Sequence, residues 1–164
     1  RSVRIRMVFS NFINGRYCRN SNSAITAQAA QREPGDEVNM KNLGAKRWAI
    51  AEGYIPAYSH GEAPQLTSHE TVCILNAGDT AAEVTITIFY TDREPGGPYR
   101  LKIPARRTQH VSFNNLDDPE PIPKETDFAS VIEANVPIVV QHTRLDSRQA
   151  ETALLSTVAY AAGD

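Results

Sequence analysis

Hydrophobic and polar positions alternate with a period of two along most of the chain from residue 46 onward. That is the spacing of a half-buried β-strand, whose successive side chains point to opposite faces. EVTITIFY (83–90) is the cleanest case: Val84, Ile86, Ile88 and Tyr90 share one face, and Glu83, Thr85, Thr87 and Phe89 the other. KRWAIAEG places Trp48, Ile50 and Glu52 on a common face. HETVCILN is an apolar run that stops at the turn signal Asn76-Ala77-Gly78-Asp79. DREPGGP is a second turn, with Gly96 and Gly97 in it. YRLKIP then alternates with Arg100 and Lys102 outward, and TQHVSFN turns Val111 and Phe113 inward. LDDPEPIPKETD is a proline-rich loop that cannot be a central strand. FASVIEA and IVVQHTRL follow as two strands separated by Asn135-Val136-Pro137. ALLSTVAY reads as a last strand or a helical turn.

This pattern gives seven or eight short strands with turn chemistry between them. No amphipathic helix separates them, which excludes a βαβ rhythm. The predicted fold class is all-β: a single antiparallel β-sandwich, jelly-roll-like, over residues 46–160. No apolar run approaches the roughly 18–20 residues of a membrane-spanning helix.

Charge divides the chain in two. Residues 1–43 carry seven Lys or Arg against three Asp or Glu; residues 44–164 carry ten against sixteen. The first 39 residues also lack either hydrophobic period. Residues 1–43 therefore read as an N-terminal extension, disordered or upstream of the native start, with Met40 as the start of the folded protein. Residues 44–164 form the domain. The two cysteines, Cys18 and Cys73, make neither a zinc site nor a disulfide scaffold. Cys73 reads as a small buried hydrophobe in a reducing compartment.

The common enzyme motifs are absent: no Gly-x-Gly-x-x-Gly, Walker sequence, Gly-x-Ser-x-Gly or His-Glu-x-x-His occurs. Ser68-His69-Glu70 sets a hydroxyl, an imidazole and a carboxylate side by side. Neighbours in a strand face opposite ways, so they cannot form a ready triad. His60, His69, His110 and His142 lack metal-ligand spacing. Lys102, Arg106 and Arg107 form a small basic patch suited to phosphate or, more simply, to a charged sheet edge.

The strongest constellation is QHTRLDSR (141–148). His142 and Arg144 continue the face of Ile138 and Val140, so that face runs from core to a polar end. Glu52 stands in the same relation to Trp48 and Ile50. An indole for stacking, with His, Arg and Glu for directed hydrogen bonds, suits a small polar ligand such as a sugar. The competing structural reading makes Arg144 and Asp146 an ion pair and His142 a satisfied edge residue.

Five blocks carry a resemblance: WAIAEGYIP, SHETVCILNAGD, PGGPYRLKIPARRTQHVSFNNL, IPKETDFASVIEANVPIVVQHTRLDSRQAE and LLSTVAYA. Together they resemble the sensory rhodopsin transducer family over residues 44–164. The resemblance implies a β-sandwich assembled as a homotetramer in the cytoplasm, without enzymatic activity or cofactor. It implies a signalling role beside a sensory rhodopsin, brings DNA contact into view, and adds a likeness to carbohydrate-binding sandwiches. The alternative is a sugar- or metabolite-binding regulatory module unrelated to photoreception. Within the shared blocks, Trp48, Glu52, His69, Glu70, His142 and Arg144 are the candidate ligand-binding residues; no metal ligand is expected.

Overall fold

The computed structural model describes residues 43–149 and 153–163. The expectations for residues 1–39 and for Met40 lie outside them. Eight strands follow in order: β1 (Ala45–Tyr54), β2 (His69–Asn76), β3 (Ala82–Tyr90), β4 (Gly96–Ile103), β5 (Arg107–Ser112), β6 (Asp127–Asp146), β7 (Ala153–Val158) and β8 (Tyr160–Ala162). All ladders are antiparallel. The helical content among the described residues is one 3-10 turn, Phe113–Asn115. The all-β expectation is met, and ALLSTVAY resolves as strand.

Two sheets share β6. Sheet A has the order β4-β3-β6-β1-β8, and sheet B the order β5-β2-β6-β7. The N-terminal half of β6 lies between β3 and β1; its C-terminal half lies between β2 and β7. The sequence suggested two strands interrupted at Asn135-Val136-Pro137. The chain instead runs straight through as one 20-residue strand. Pro137 cannot donate to a ladder, and it sits where β6 leaves β3 and passes into the other sheet, a place where no donor is required. Asn135 helps there by accepting a hydrogen bond from the Glu83 backbone N–H, at 2.9 Å.

Inward residues of both sheets form one apolar cluster. It includes Ile86, Ile88 and Ile132 from sheet A and Val72, Ile74 and Val140 from sheet B. Burying branched side chains on the pleated inner faces is the main stabilising term, at about 1.5–3 kcal/mol each. The expected inward faces of EVTITIFY and TQHVSFN are the observed ones. Cys73 differs from expectation. Period two places it between inward Val72 and Ile74, so it faces outward and is half-buried.

The ladders carry three register shifts, one of them at Ala45–Arg47 where β6 changes sheets; the other two adjust the pleat. Between Ile50 and Gly53, three steps on β1 oppose two on β6, a β-bulge. The parity of β1 therefore changes: Trp48 and Ile50 point inward before it, Gly53 after it, and Glu52 is left outside. The common face expected for Trp48 and Glu52 does not exist for this reason. Gly53 is also required by contact, because a Cβ would overlap the Phe128 ring. The second irregularity lies between Ile86 and Ile88, opposite Gly96 to Tyr99. Gly97 adopts φ +101° there, a conformation that favours glycine. The two glycines read as a turn thus begin β4.

Ser130 projects into the apolar interior, paired in register with Ile50 and Ile88, and its hydroxyl has no hydrogen-bond partner. A buried unpaired hydroxyl is destabilising, so Ser130→Ala should raise the unfolding free energy by about 1 kcal/mol. Urea denaturation would read this as a higher midpoint at unchanged slope; a lower midpoint would show that the hydroxyl contributes to stability.

Candidate functional site

Along sheet B the inner face changes character in three steps. Ile74 opposes Val140, Val72 opposes His142, and Glu70 opposes Arg144. The row thus passes from apolar core to ionisable end within four residues. Glu70 is fully buried and His142 nearly so. A carboxylate in such a place requires partners for its lone pairs. Glu70 has three. Its Oε1 accepts the backbone N–H of Tyr54 at 2.9 Å and lies 3.4 Å from Arg144 Nε. Its Oε2 meets His142 Nε2.

Arg144 links this buried pair to the surface. Its Nη1 donates to exposed Glu52, while its Nε faces Glu70. The guanidinium also lies 5.7 Å from the centre of the Tyr54 ring. Arg148 approaches the same ring, at 5.2 Å, so two cations use one aromatic ring. Arg148 is held by Asp146, whose Oδ2 accepts from Nη2 at 2.6 Å. That bond holds the Asp146 carboxyl below the usual carboxylate range and raises Arg148 above its ordinary value. The competing structural reading paired Arg144 with Asp146; the pairs are Arg144–Glu52 and Arg148–Asp146. Residues 144 and 146 do stand two apart, but Arg144 turns across to β1 and β2, leaving Asp146 to the arginine that follows.

On the other side, the Tyr54 hydroxyl donates to Glu125 Oε1 at 3.3 Å. Loss of hydration and the neighbouring Glu125 carboxylate raise the Tyr54 phenol above its ordinary value. A cleft of about 340 Å³ opens beside these groups, lined by Tyr58, Asp146, Arg148, Gln149 and Ala153.

Four of the six residues singled out in the sequence are brought together: Glu52, Glu70, His142 and Arg144. Two stand apart. Trp48 is a core residue whose indole Nε1–H is shared between the carbonyls of Ala45, at 2.9 Å, and Ile138, at 3.0 Å. It has no donor left to offer a ligand. His69 points outward from β2, with Nδ1 2.7 Å from the Thr67 carbonyl oxygen. Ser68, next to it, is buried against Ser147, the two hydroxyl oxygens 3.1 Å apart. The three neighbours Ser68, His69 and Glu70 thus serve three separate environments.

Tyr54 and Arg148 were not picked out as site residues. The bulge in β1 that places Tyr54 has no signature in the alternation. Two of the three residues of the basic patch are tied to acids: Lys102 pairs with Glu83 at 3.3 Å, and Arg106 Nε donates to Asp79 at 2.7 Å, while Arg107 Nη1 donates to the Arg106 carbonyl. Among the described residues, no group of three His, Cys, Asp or Glu side chains is placed to hold a metal ion. No helix among them is long and apolar enough to cross a membrane.

Comparison with known proteins adds a family. The family model described as Anabaena sensory rhodopsin transducer matches residues 43–161. The solved structure of the Anabaena sensory rhodopsin transducer is 67% identical, covers 62% of this chain and 99% of its own, and superposes with a TM-score of 0.56. A crystal structure of Thermotoga maritima 1070 is 33% identical, covers 73% of this chain and 97% of its own, with a TM-score of 0.64. No curated protein sequence matches. The matched span takes in all eight strands up to Ala161 and the whole Glu52–Glu70–His142–Arg144 cluster, and this chain belongs to the sensory rhodopsin transducer family.

Proposed function

We propose that the protein is a non-enzymatic signalling adaptor that works in the cytoplasm as a homotetramer and takes a sensory rhodopsin as its partner. The observation that carries this reading is the identity of 67% to a solved protein named as a sensory rhodopsin transducer, over 99% of that protein. The local chemistry supports it. The ionisable groups of the cluster already neutralise one another, and none of them is paired as nucleophile and base. DNA fits less well, because Lys102 and Arg106 already face Glu83 and Asp79. The test is retention of the purified protein on membranes containing a sensory rhodopsin, against the same membranes without it. Saturable retention on the first alone is expected; equal retention on both would overturn the reading.

A second reading has its own support: the charged cluster stands beside a cleft of about 340 Å³, large enough for a sugar-sized molecule. In this reading a small polar ligand enters the cleft at Arg148 and Asp146, and Arg144, which shares the Tyr54 ring with Arg148, borders it. The two readings are compatible, since a ligand that prefers one state of an adaptor shifts its population. A thermal-shift screen with sugars and metabolites tests it. Arg144→Ala should weaken binding of any hit by about 1.5–3 kcal/mol, the scale of a hydrogen bond to a charged group. Absence of any shift across the screen would remove this second reading and leave the adaptor untouched.

A further inference from the structure

Sheet A ends at β4, whose second edge meets no strand among the described residues. The direction of its free backbone groups follows from the ladder. The Glu83 N–H points toward β6, where Asn135 accepts it at 2.9 Å. Backbone groups alternate in direction along a strand, so Val84 and Ile86 face β4 and engage Leu101 and Tyr99, their partners in register. The N–H and C=O groups of Arg100 and Lys102 are therefore left at the open edge. Pro98, which has no N–H, falls on the same side, where a proline in an edge strand belongs. A groove of about 340 Å³ runs along this edge, between residues 97–101 of β4 and residues 115–119 of the loop that follows the 3-10 turn. Leu101 and Leu116, both half-buried and packed against the core, make its floor apolar. Asp117 and Asp118 stand exposed on the loop wall, and among the described residues neither has an ion-pair partner.

We propose that this groove receives an extended, Lys- or Arg-bearing segment from the cytoplasmic side of the rhodopsin partner, which joins sheet A as a strand beside β4. The main-chain groups of Arg100 and Lys102 supply its hydrogen bonds, as in strand addition to any open sheet edge. Charge selects the occupant. The loop wall carries the unneutralised carboxylates of Asp117 and Asp118, and the cytoplasmic loops of membrane proteins carry an excess of Lys and Arg. An acidic chain is repelled there. The stem of a Lys or Arg covers Leu101 and Leu116 while its charged head reaches the carboxylates. On the other face of the added strand, the Arg100 side chain repels a second cation, so the residues beside it are uncharged. Pro98 and Arg100 also keep two copies of β4 from pairing with each other. The inference rests on the adaptor reading, which retention of the unaltered protein tests by itself.

The experiment measures retention of the full chain on membranes containing the sensory rhodopsin. Arg100→Pro removes the edge N–H and spares the β3–β4 ladder, which uses Tyr99 and Leu101; Arg100→Ala keeps the N–H. Asp117→Ser combined with Asp118→Ser removes the charge of the loop wall. Circular dichroism and the melting midpoint verify folding of each. Arg100→Pro and the serine pair should each raise the half-saturating concentration about tenfold, the scale of one hydrogen bond to a charged or desolvated group. Arg100→Ala should stay within about twofold of the parent, as loss of an exposed charge does. Hydrogen–deuterium exchange of the unaltered protein needs no variant: rhodopsin membranes should slow exchange over residues 99–103 about tenfold and leave residues 107–112 of β5 unchanged. If Arg100→Pro does not fold, the serine pair and the exchange decide. Parental retention of a folded Arg100→Pro or of the serine pair, an equal loss in Arg100→Pro and Arg100→Ala, or unchanged exchange over 99–103 would each overturn the proposal and leave the adaptor reading standing. No retention of the unaltered protein would remove the adaptor reading and this occupant together.

Discussion

Glu70→Ala is expected to destabilise the protein by about 3–5 kcal/mol, the loss that follows when one partner is removed from a buried ionic group. Three groups lose their acceptor at once: the Tyr54 N–H, the His142 ring and the inner edge of Arg144. The His142 ring cannot turn to water without disturbing the sheets, because it lies on the inner face between the two ladders of β6. Glu70→Gln separates charge from shape. Its side-chain oxygen can still accept from Tyr54, and its amide can donate to a neutral His142, but it no longer offsets the Arg144 charge. Its cost should be clearly smaller than that of the alanine. Replacing the pair together, Glu70→Leu with His142→Leu, should recover part of the loss, since the imidazole is no longer left buried without its acceptor, while the Tyr54 N–H and Arg144 still lack theirs. Chemical denaturation of the four proteins decides this. An alanine variant within about 1 kcal/mol of the parent would mean that the cluster is hydrated and only loosely coupled to the fold.

The cluster also shows which parts of a site a sequence displays. His142 and Arg144 were legible because they continue the alternation of Ile138 and Val140, and period two fixes which face they share. Glu70 was legible as a candidate, but its burial was not: nothing in SHETV distinguishes a carboxylate facing solvent from one facing the core. That distinction comes from register, since Glu70 opposes Arg144 only when β2 and β6 pair as they do. Tyr54 was hidden by the bulge after Ile50, which reverses the parity of β1 without any glycine-asparagine turn or proline to announce it. The same bulge is why Glu52 meets Arg144 from outside. In sheet A, EVTITIFY was read to within a residue because it has one wet and one dry face, whereas β4 begins three residues before YRLKIP. The run through Pro137 was misread because proline marks both strand breaks and places where a continuous strand changes sheets. Local sequence does not tell these apart; the partners on either side do.

Trp48 separates core from site by experiment. Both sequence pattern and family block made it a candidate for stacking on a ligand, yet the indole is buried and its one donor is satisfied twice by backbone carbonyls. Those two carbonyls lie on different strands: Ala45 begins β1, and Ile138 is the last residue of β6 paired in sheet A before the strand passes into sheet B. The indole therefore ties the start of β1 to the corner of the sandwich as well as filling it. Trp48→Ala should cost about 3–5 kcal/mol, the range for emptying a core aromatic site. Trp48→Phe retains most of the volume but leaves both carbonyls without the N–H, so a loss of about 1–2 kcal/mol is expected. The contrast with Arg144→Ala carries the argument. If the cluster binds a small ligand, Arg144→Ala lowers affinity while Trp48→Phe, measured where it is folded, leaves affinity within twofold. An equal loss of affinity in both, with melting midpoints barely moved, would place the indole at the ligand and not in the core.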